Sequence, residues 1–446
     1  MTMRPSIGPP RPPRATGIAE FEVADGVSLT SARRSDLPLV ELRLAFPMSA
    51  SLLRDPAPPL VLARSLFSGT EDMQRSELAA SIERMGGDLQ ASVERDYFLL
   101  SGSVLAPNLP GLVELVGRLL TGASYPEREV KADRDRAADE SAIALSRPEV
   151  VADEAFRARL LSGHPYATAM PSPSALRRVS AAALHTVHRS VLTDAPMHVV
   201  LVGDVQPKTA LGLVEDVLVP SLGTLRGGRA RFPALRIDEP GPTLVVDRPG
   251  SVQSNLRLGG AAPSRDDPRW PATSLANLVF GGMFTSRLVE NLRERHGYTY
   301  SPRSSVVHGR AGSLLLVVAD VSTDVTAEAL WETRYELGRM AIDGATDAEL
   351  EAARRYAVGS FSFQIATISG LASTLCALKM SGTSPGYLTS YPKAILKAQN
   401  AEVTEASYGL LAPHRLTTVV VGEAEAVVRS VSRVEDLEVR SAKRSR

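Results

Sequence analysis

The sequence predicts an α+β protein of two tandem, homologous halves, each a mostly antiparallel sheet packed against helices. Three observations carry this. Strand-like segments and hairpin-like pairs are interspersed with segments of helical periodicity, with few βαβ runs. The short strand Leu42-Arg43-Leu44 recurs as Leu256-Arg257-Leu258, and the closing strand His198–Gly203 recurs as Thr418–Gly422, at offsets of 214 and 219 residues. Order and spacing are therefore kept, as in a tandem duplication. Between the copies lies a stretch rich in Gly, Arg and Pro, Gly223 to Pro233, extended by Glu239-Pro-Gly-Pro242. It is the best domain boundary in the chain.

The elements of the first half follow in order. Pro38 to Phe46 alternates apolar and polar residues, which suits a half-buried strand. A helix is expected from about Leu60 to Phe67, ended by Gly69. Ser76 is placed to cap the next helix, whose Leu78, Ile82 and Met85 share a face. Gly86-Gly87 stops it. Leu89 to Leu105 reads as two strands. Pro110 opens a helix with Leu112, Leu115, Val116 and Leu119 on one side. A charged helix runs from about Pro126 to Ala144. Helix-like stretches, Ala181–Val191 and Thr404–Leu411, precede the two closing strands. The expected division is a disordered tail over 1–17, a first domain over 18–222, a linker over 223–242, a second domain over 243–437 and a basic tail over 438–446.

Composition narrows the function classes. The chain has 446 residues, with 50 basic and 50 acidic side chains. A formal net charge of zero argues against nucleic-acid or membrane-surface binding, which usually needs a basic excess. No run of about 18 apolar residues predicts a membrane span. Met1 to Arg14 lacks the apolar core of a secretory signal, and its prolines forbid the amphipathic helix of a transit peptide. A cytoplasmic location is expected. The one cysteine, Cys376, excludes an internal disulfide and a cysteine zinc site, and its apolar setting reads as core rather than nucleophile.

Candidate chemistry is sparse. The Gly-rich loop Phe280–Leu288 lacks the Lys-Ser/Thr ending and the glycine spacing of a phosphate cradle. His185 and His188 are the only neighbouring histidines, on what reads as an ordinary surface helix without an acidic partner. Arg293 to Tyr300 is more distinctive. Arg293 closes a helix, Gly297 breaks the chain, and Tyr300 should open the next strand. An Arg fork and a Tyr donor can together hold peptide carbonyls or a developing oxyanion. From the residues alone, a helix end with a buried Tyr is the favoured reading.

At this segment the chain resembles the pitrilysin/insulinase family of zinc peptidases, which includes the mitochondrial processing peptidases. The resemblance rests on residues 281–300, on Leu66–Thr70 and Ile82–Asp88, and on Gly163-His-Pro-Tyr166. It extends over about residues 20–435. It implies two peptidase-like domains, with Arg293 fixing the substrate backbone and Tyr300 stabilising the tetrahedral intermediate. The family's zinc helix reads His-x-x-Glu-His, with a Glu ligand about 75 residues on. Here those helix positions fall at Leu60, Ala63 and Arg64, with Glu140 as a possible remnant of the third ligand. Catalytic zinc needs three protein ligands, so no metal or other cofactor is expected in this chain. The resemblance thus implies the substrate-handling, non-zinc subunit of a heterodimeric metallo-endopeptidase, inactive alone. The partner would be a homologous zinc-motif subunit, and the substrate an extended peptide added as a strand to a sheet edge. The alternatives are an inert scaffold, like the respiratory complex III core proteins of similar sequence pattern, and a stand-alone peptide-binding protein.

Overall fold

The computed structural model describes residue 8 and residues 17–222, 232–433 and 435–441. The expected N-terminal tail falls almost wholly outside the described residues, as do residues 223–231 of the linker and 442–446 of the basic tail.

Two six-stranded sheets form the frame. The first takes β1 (Ile18–Ala24), β2 (Val27–Arg33), β3 (Leu39–Pro47), β4 (Asp88–Val93), β5 (Tyr97–Leu105) and β6 (Met197–Gly203) in the order β1-β2-β6-β3-β5-β4. The second takes β7 (Thr243–Asp247), β8 (Gln253–Ala262), β9 (Arg303–Gly309), β10 (Gly312–Ser322), β11 (Thr417–Gly422) and β12 (Leu437–Ser441) in the order β12-β7-β11-β8-β10-β9. The sequence repeat is a register repeat. Arg43 of β3 pairs with Val200 of β6, and Arg257 of β8 pairs with Val419 of β11. The copies diverge at one edge. There β1 makes an antiparallel hairpin with β2, whereas β12 arrives from the far end of the chain and runs parallel to β7. Residues 438–441, expected in the basic tail, are therefore strand. Their backbone groups complete the edge of β7.

The two halves exchange helices. The helix Pro148–Leu160, from the first half, lays Ala152, Phe156 and Leu160 on the back of the second sheet, against Val419 and Val421. The helix Ile368–Met380, from the second half, lays Leu371, Ala372, Leu375 and Cys376 on the back of the first, against Ala32, Ala45, Val200 and Val202. This corrects the half-buried reading of β3. Both of its faces are covered, and every residue from Leu42 to Phe46 is buried. It also explains a glycine inside β8. A Cβ on Gly259 would stand 2.0 Å from the Leu315 carbonyl oxygen and 2.8 Å from the Phe156 ring.

Buried arginines mark the same exchange. Arg43 donates to Ser369 at 3.0 Å and pairs with Glu41 at 2.7 Å. Its repeat mate Arg257 pairs with Asp153 at 2.6 Å and Asp320 at 2.8 Å. The described part of the linker is also fastened: Leu235 N–H donates to Ala311, and Asp238 N–H to Leu160. Two local expectations change. Ser76 lies inside its helix, Arg75–Arg84, because Gln74, two residues earlier, is the N-cap and forms a reciprocal capping box with Glu77. His188 is buried rather than on an open face, with Nδ1 2.6 Å from the Tyr125 hydroxyl and Nε2 2.8 Å from the Leu120 carbonyl. No single helix among the described residues is long and apolar enough to cross a membrane.

Candidate functional site

The helix Ala57–Ser65 carries the three degenerate positions. Leu60 and Arg64 are one turn apart and share a face. Ala63 is buried among core side chains. Arg64 reaches across to Glu140 on the helix Glu127–Leu145, with Nη1 donating to Oε1 at 3.1 Å and Nη2 to Oε2 in a second, closer contact. The structure thus brings together two of the positions that the sequence pattern assigned to one metal site. Two turns before Glu140, Asp133 is buried. It accepts from Ser65 at 3.0 Å and Arg75 at 2.6 Å, which clamps the two helices together. The donor set does not fit a metal. Leu60 and Ala63 offer no ligand atom, and the Glu140 carboxylate faces a permanent cation.

Arg293 and Tyr300 are also brought together, though not as expected. Arg293 lies in the irregular helical turn Glu290–Arg295, and Gly297 takes φ +66° to reverse the chain. Tyr300 is not on a strand. It sits in the loop before β9 and is 81% exposed, the opposite of a buried helix-end tyrosine. The Arg293 guanidinium lies 4.9 Å from the Tyr300 ring centroid and 4.7 Å from that of Phe284. Its one ion-pair partner among the described residues is the adjacent Glu294, at 3.4 Å. Cation–π contact with the two rings holds the guanidinium in place without consuming its N–H groups. Phe284, 68% exposed, was not singled out by the sequence. It sits in the Gly-rich loop, which enters the sequence reading as a poor phosphate cradle and as part of the family resemblance but without a role for its aromatic residue.

The insulinase (peptidase family M16) profile matches residues 61–174, and the peptidase M16 inactive-domain profile matches residues 178–356. The chain belongs to the M16 insulinase family. It is an M16 member whose zinc helix has lost its ligands. Similar M16 relatives include uncharacterized zinc proteases of Mycobacterium leprae, 28% identical over 66% of this chain and 66% of that protein, and of Streptomyces coelicolor, 25% identical over 74% and 73%. The match to the first of these spans just under two thirds of its length. An M16 inactive domain from Pseudomonas fluorescens superposes with a TM-score of 0.81 at 21% identity, covering 91% of this chain and 98% of that one. The periplasmic protease PqqL from Escherichia coli superposes at 0.76 and 17% identity, covering 93% of this chain and 46% of that one. These likenesses establish the M16 two-domain fold.

Proposed function

We propose that this M16 chain is the substrate-handling subunit of a two-chain zinc endopeptidase, with the zinc supplied by a homologous partner. The observation that carries the reading is an asymmetry. The metal positions are closed by the Arg64–Glu140 pair, while Arg293 is stacked between Phe284 and Tyr300 on an exposed surface. Three exposed or half-exposed groups clustered this way are not needed for a core. They present a fixed donor fork and a phenol to something outside the chain. The Tyr300 hydroxyl has no hydrogen-bond partner among the described residues, so it is available to a developing oxyanion.

The test is reconstitution. The purified chain alone should cut nothing. Mixed with a zinc-motif M16 chain, it should raise cleavage of an unstructured peptide. Tyr300→Phe in that mixture should lower kcat by about a hundredfold, the usual cost of one oxyanion donor. The Arg64–Glu140 pair by itself also suits an inert scaffold. Full activity of the Tyr300→Phe complex would overturn the role assigned to Tyr300, and a co-purifying partner that also lacks a zinc motif would decide for the scaffold.

A further inference from the structure

A cavity of about 640 Å³ opens between the two halves beside the degenerate helix, with Leu60 in its wall. Four arginines converge on it. Arg95 and Arg157 come from the first half, Arg265 and Arg310 from the second. Among the described residues, the carboxylates in the lining are Glu94 and Asp96. Asp96 is 2% exposed, and its Oδ2 already accepts from the Tyr166 hydroxyl and, at 2.7 Å, from the Arg310 backbone N–H. Glu94 accepts from Ser92 at 2.8 Å. None of the four guanidiniums makes an ion pair with a carboxylate among the described residues. The Nε of Arg310 is buried without a partner, and its Nη2 donates only to the Met48 carbonyl.

This is not how the chain treats its other enclosed arginines. Arg43, Arg257, Arg287 and Arg334 all have carboxylate partners, Glu41, Asp153 with Asp320, Glu349 and Glu435. Four guanidiniums facing two carboxylates, with no ion pair between them, leave the cavity net positive, and a bound anion would offset that charge. The surroundings agree. Burial pushes the Arg265 and Arg310 guanidiniums below their usual pKa. Burial, with Arg265 and Arg95, pushes His308 down to about 3, so it stays neutral and adds no charge. The wall also carries apolar Leu53, Leu60, Met170 and Met380 beside polar Thr168 and Ser381. The volume is that of a small-molecule site.

We infer that this cavity binds a small polyanion, one carrying at least two oxyanion groups, held by guanidiniums from both halves. Carboxylates and phosphates share that chemistry, and the ligand would cross-brace the two sheets. Because the site lies within one chain, the inference does not depend on the two-chain enzyme proposed above.

The test is calorimetry on the full chain, without a partner, using citrate and pyrophosphate at low salt. One site per chain is expected, with a Kd below about 1 mM, which corresponds to about 4 kcal/mol. Saturation by citrate alone marks a carboxylate site, and by pyrophosphate alone a phosphate site. Arg157→Gln and Arg265→Gln should each weaken binding at least about tenfold, the effect of losing one charge-assisted hydrogen bond. Phenylglyoxal labelling of the unmutated chain gives a second readout, in which bound ligand should protect the pocket arginines. Neither anion binding, or binding that both substitutions and the labelling leave unchanged, overturns the inference.

Discussion

The closed metal site can be reopened. In the triple variant Leu60→His, Ala63→Glu and Arg64→His, two imidazoles stand one helical turn apart and face the Glu140 carboxylate. Arg64 contributes most of the present block. A dication about 4 Å from a guanidinium is repelled by about 8 kcal/mol at an effective dielectric near 20. Removing the cation costs little stability. The Arg64 and Glu140 side chains are 37% and 53% exposed, and a pair so hydrated is worth about 0–1 kcal/mol. Replacing buried Ala63 with a longer acid is the costlier change. It can be separated by also making Leu60→His with Arg64→His alone. The assay is zinc per chain by mass spectrometry after dialysis. The triple variant should hold one zinc with a Kd below about 1 µM, about 8 kcal/mol. Adding Glu140→Gln should weaken it at least about tenfold. A folded triple variant without zinc, or one indifferent to Glu140→Gln, would refute the assignment of these four positions to a common site.

Other outcomes follow from the same geometry. Arg257→Met leaves Asp153 and Asp320 without their shared cation. Both acids are partly exposed, so urea unfolding should register a loss of about 2 kcal/mol, below the usual cost for a fully buried pair. Burial raises the Glu349 carboxyl pKa, but hydrogen bonds from Arg287 and Thr346 outweigh it and hold the group at about 2. The stability it contributes is therefore complete above the unfolded carboxylate value and is lost as pH falls from about 4.5 towards 2. After screening at this partly exposed site the contribution is about 1–2 kcal/mol, and Glu349→Gln should flatten that part of the acid profile of urea midpoints. Burial pushes the Cys376 thiol up to about 12, so Ellman's reagent should label it only on unfolding.

Much of the frame was legible because periodicity and repetition are local signals. Leu42-Arg43-Leu44 and Leu256-Arg257-Leu258 announced β3 and β8 as equivalent strands, and the structure adds that their register repeats too. The family's spacing assigned Arg64 and Glu140 to one degenerate metal site, but their ion pair was not foreseen, since nothing local to either residue points to the other. The exchange of helices was not legible. An apolar face on Ile368–Met380 says that it must be covered, not that the first sheet covers it. The same blindness hid the arginine pocket, whose members lie far apart in sequence. It also left Tyr300 on a strand, because an alternating pattern after Gly297 does not reveal where backbone pairing begins. Phe284 escaped because an aromatic beside glycines looks like loop packing until Arg293 is seen against it.

The exchange of helices sets a timetable for synthesis. When β6 leaves the ribosome, the first sheet is complete in its strands, yet Ala32, Ala45, Val200 and Val202 still lack the helix that shields them. That helix emerges only after β7 through β10 have been made. The nascent first half must carry an open apolar face from the synthesis of Gly203 until Ile368–Met380 is made, a window in which that face is exposed to aggregation.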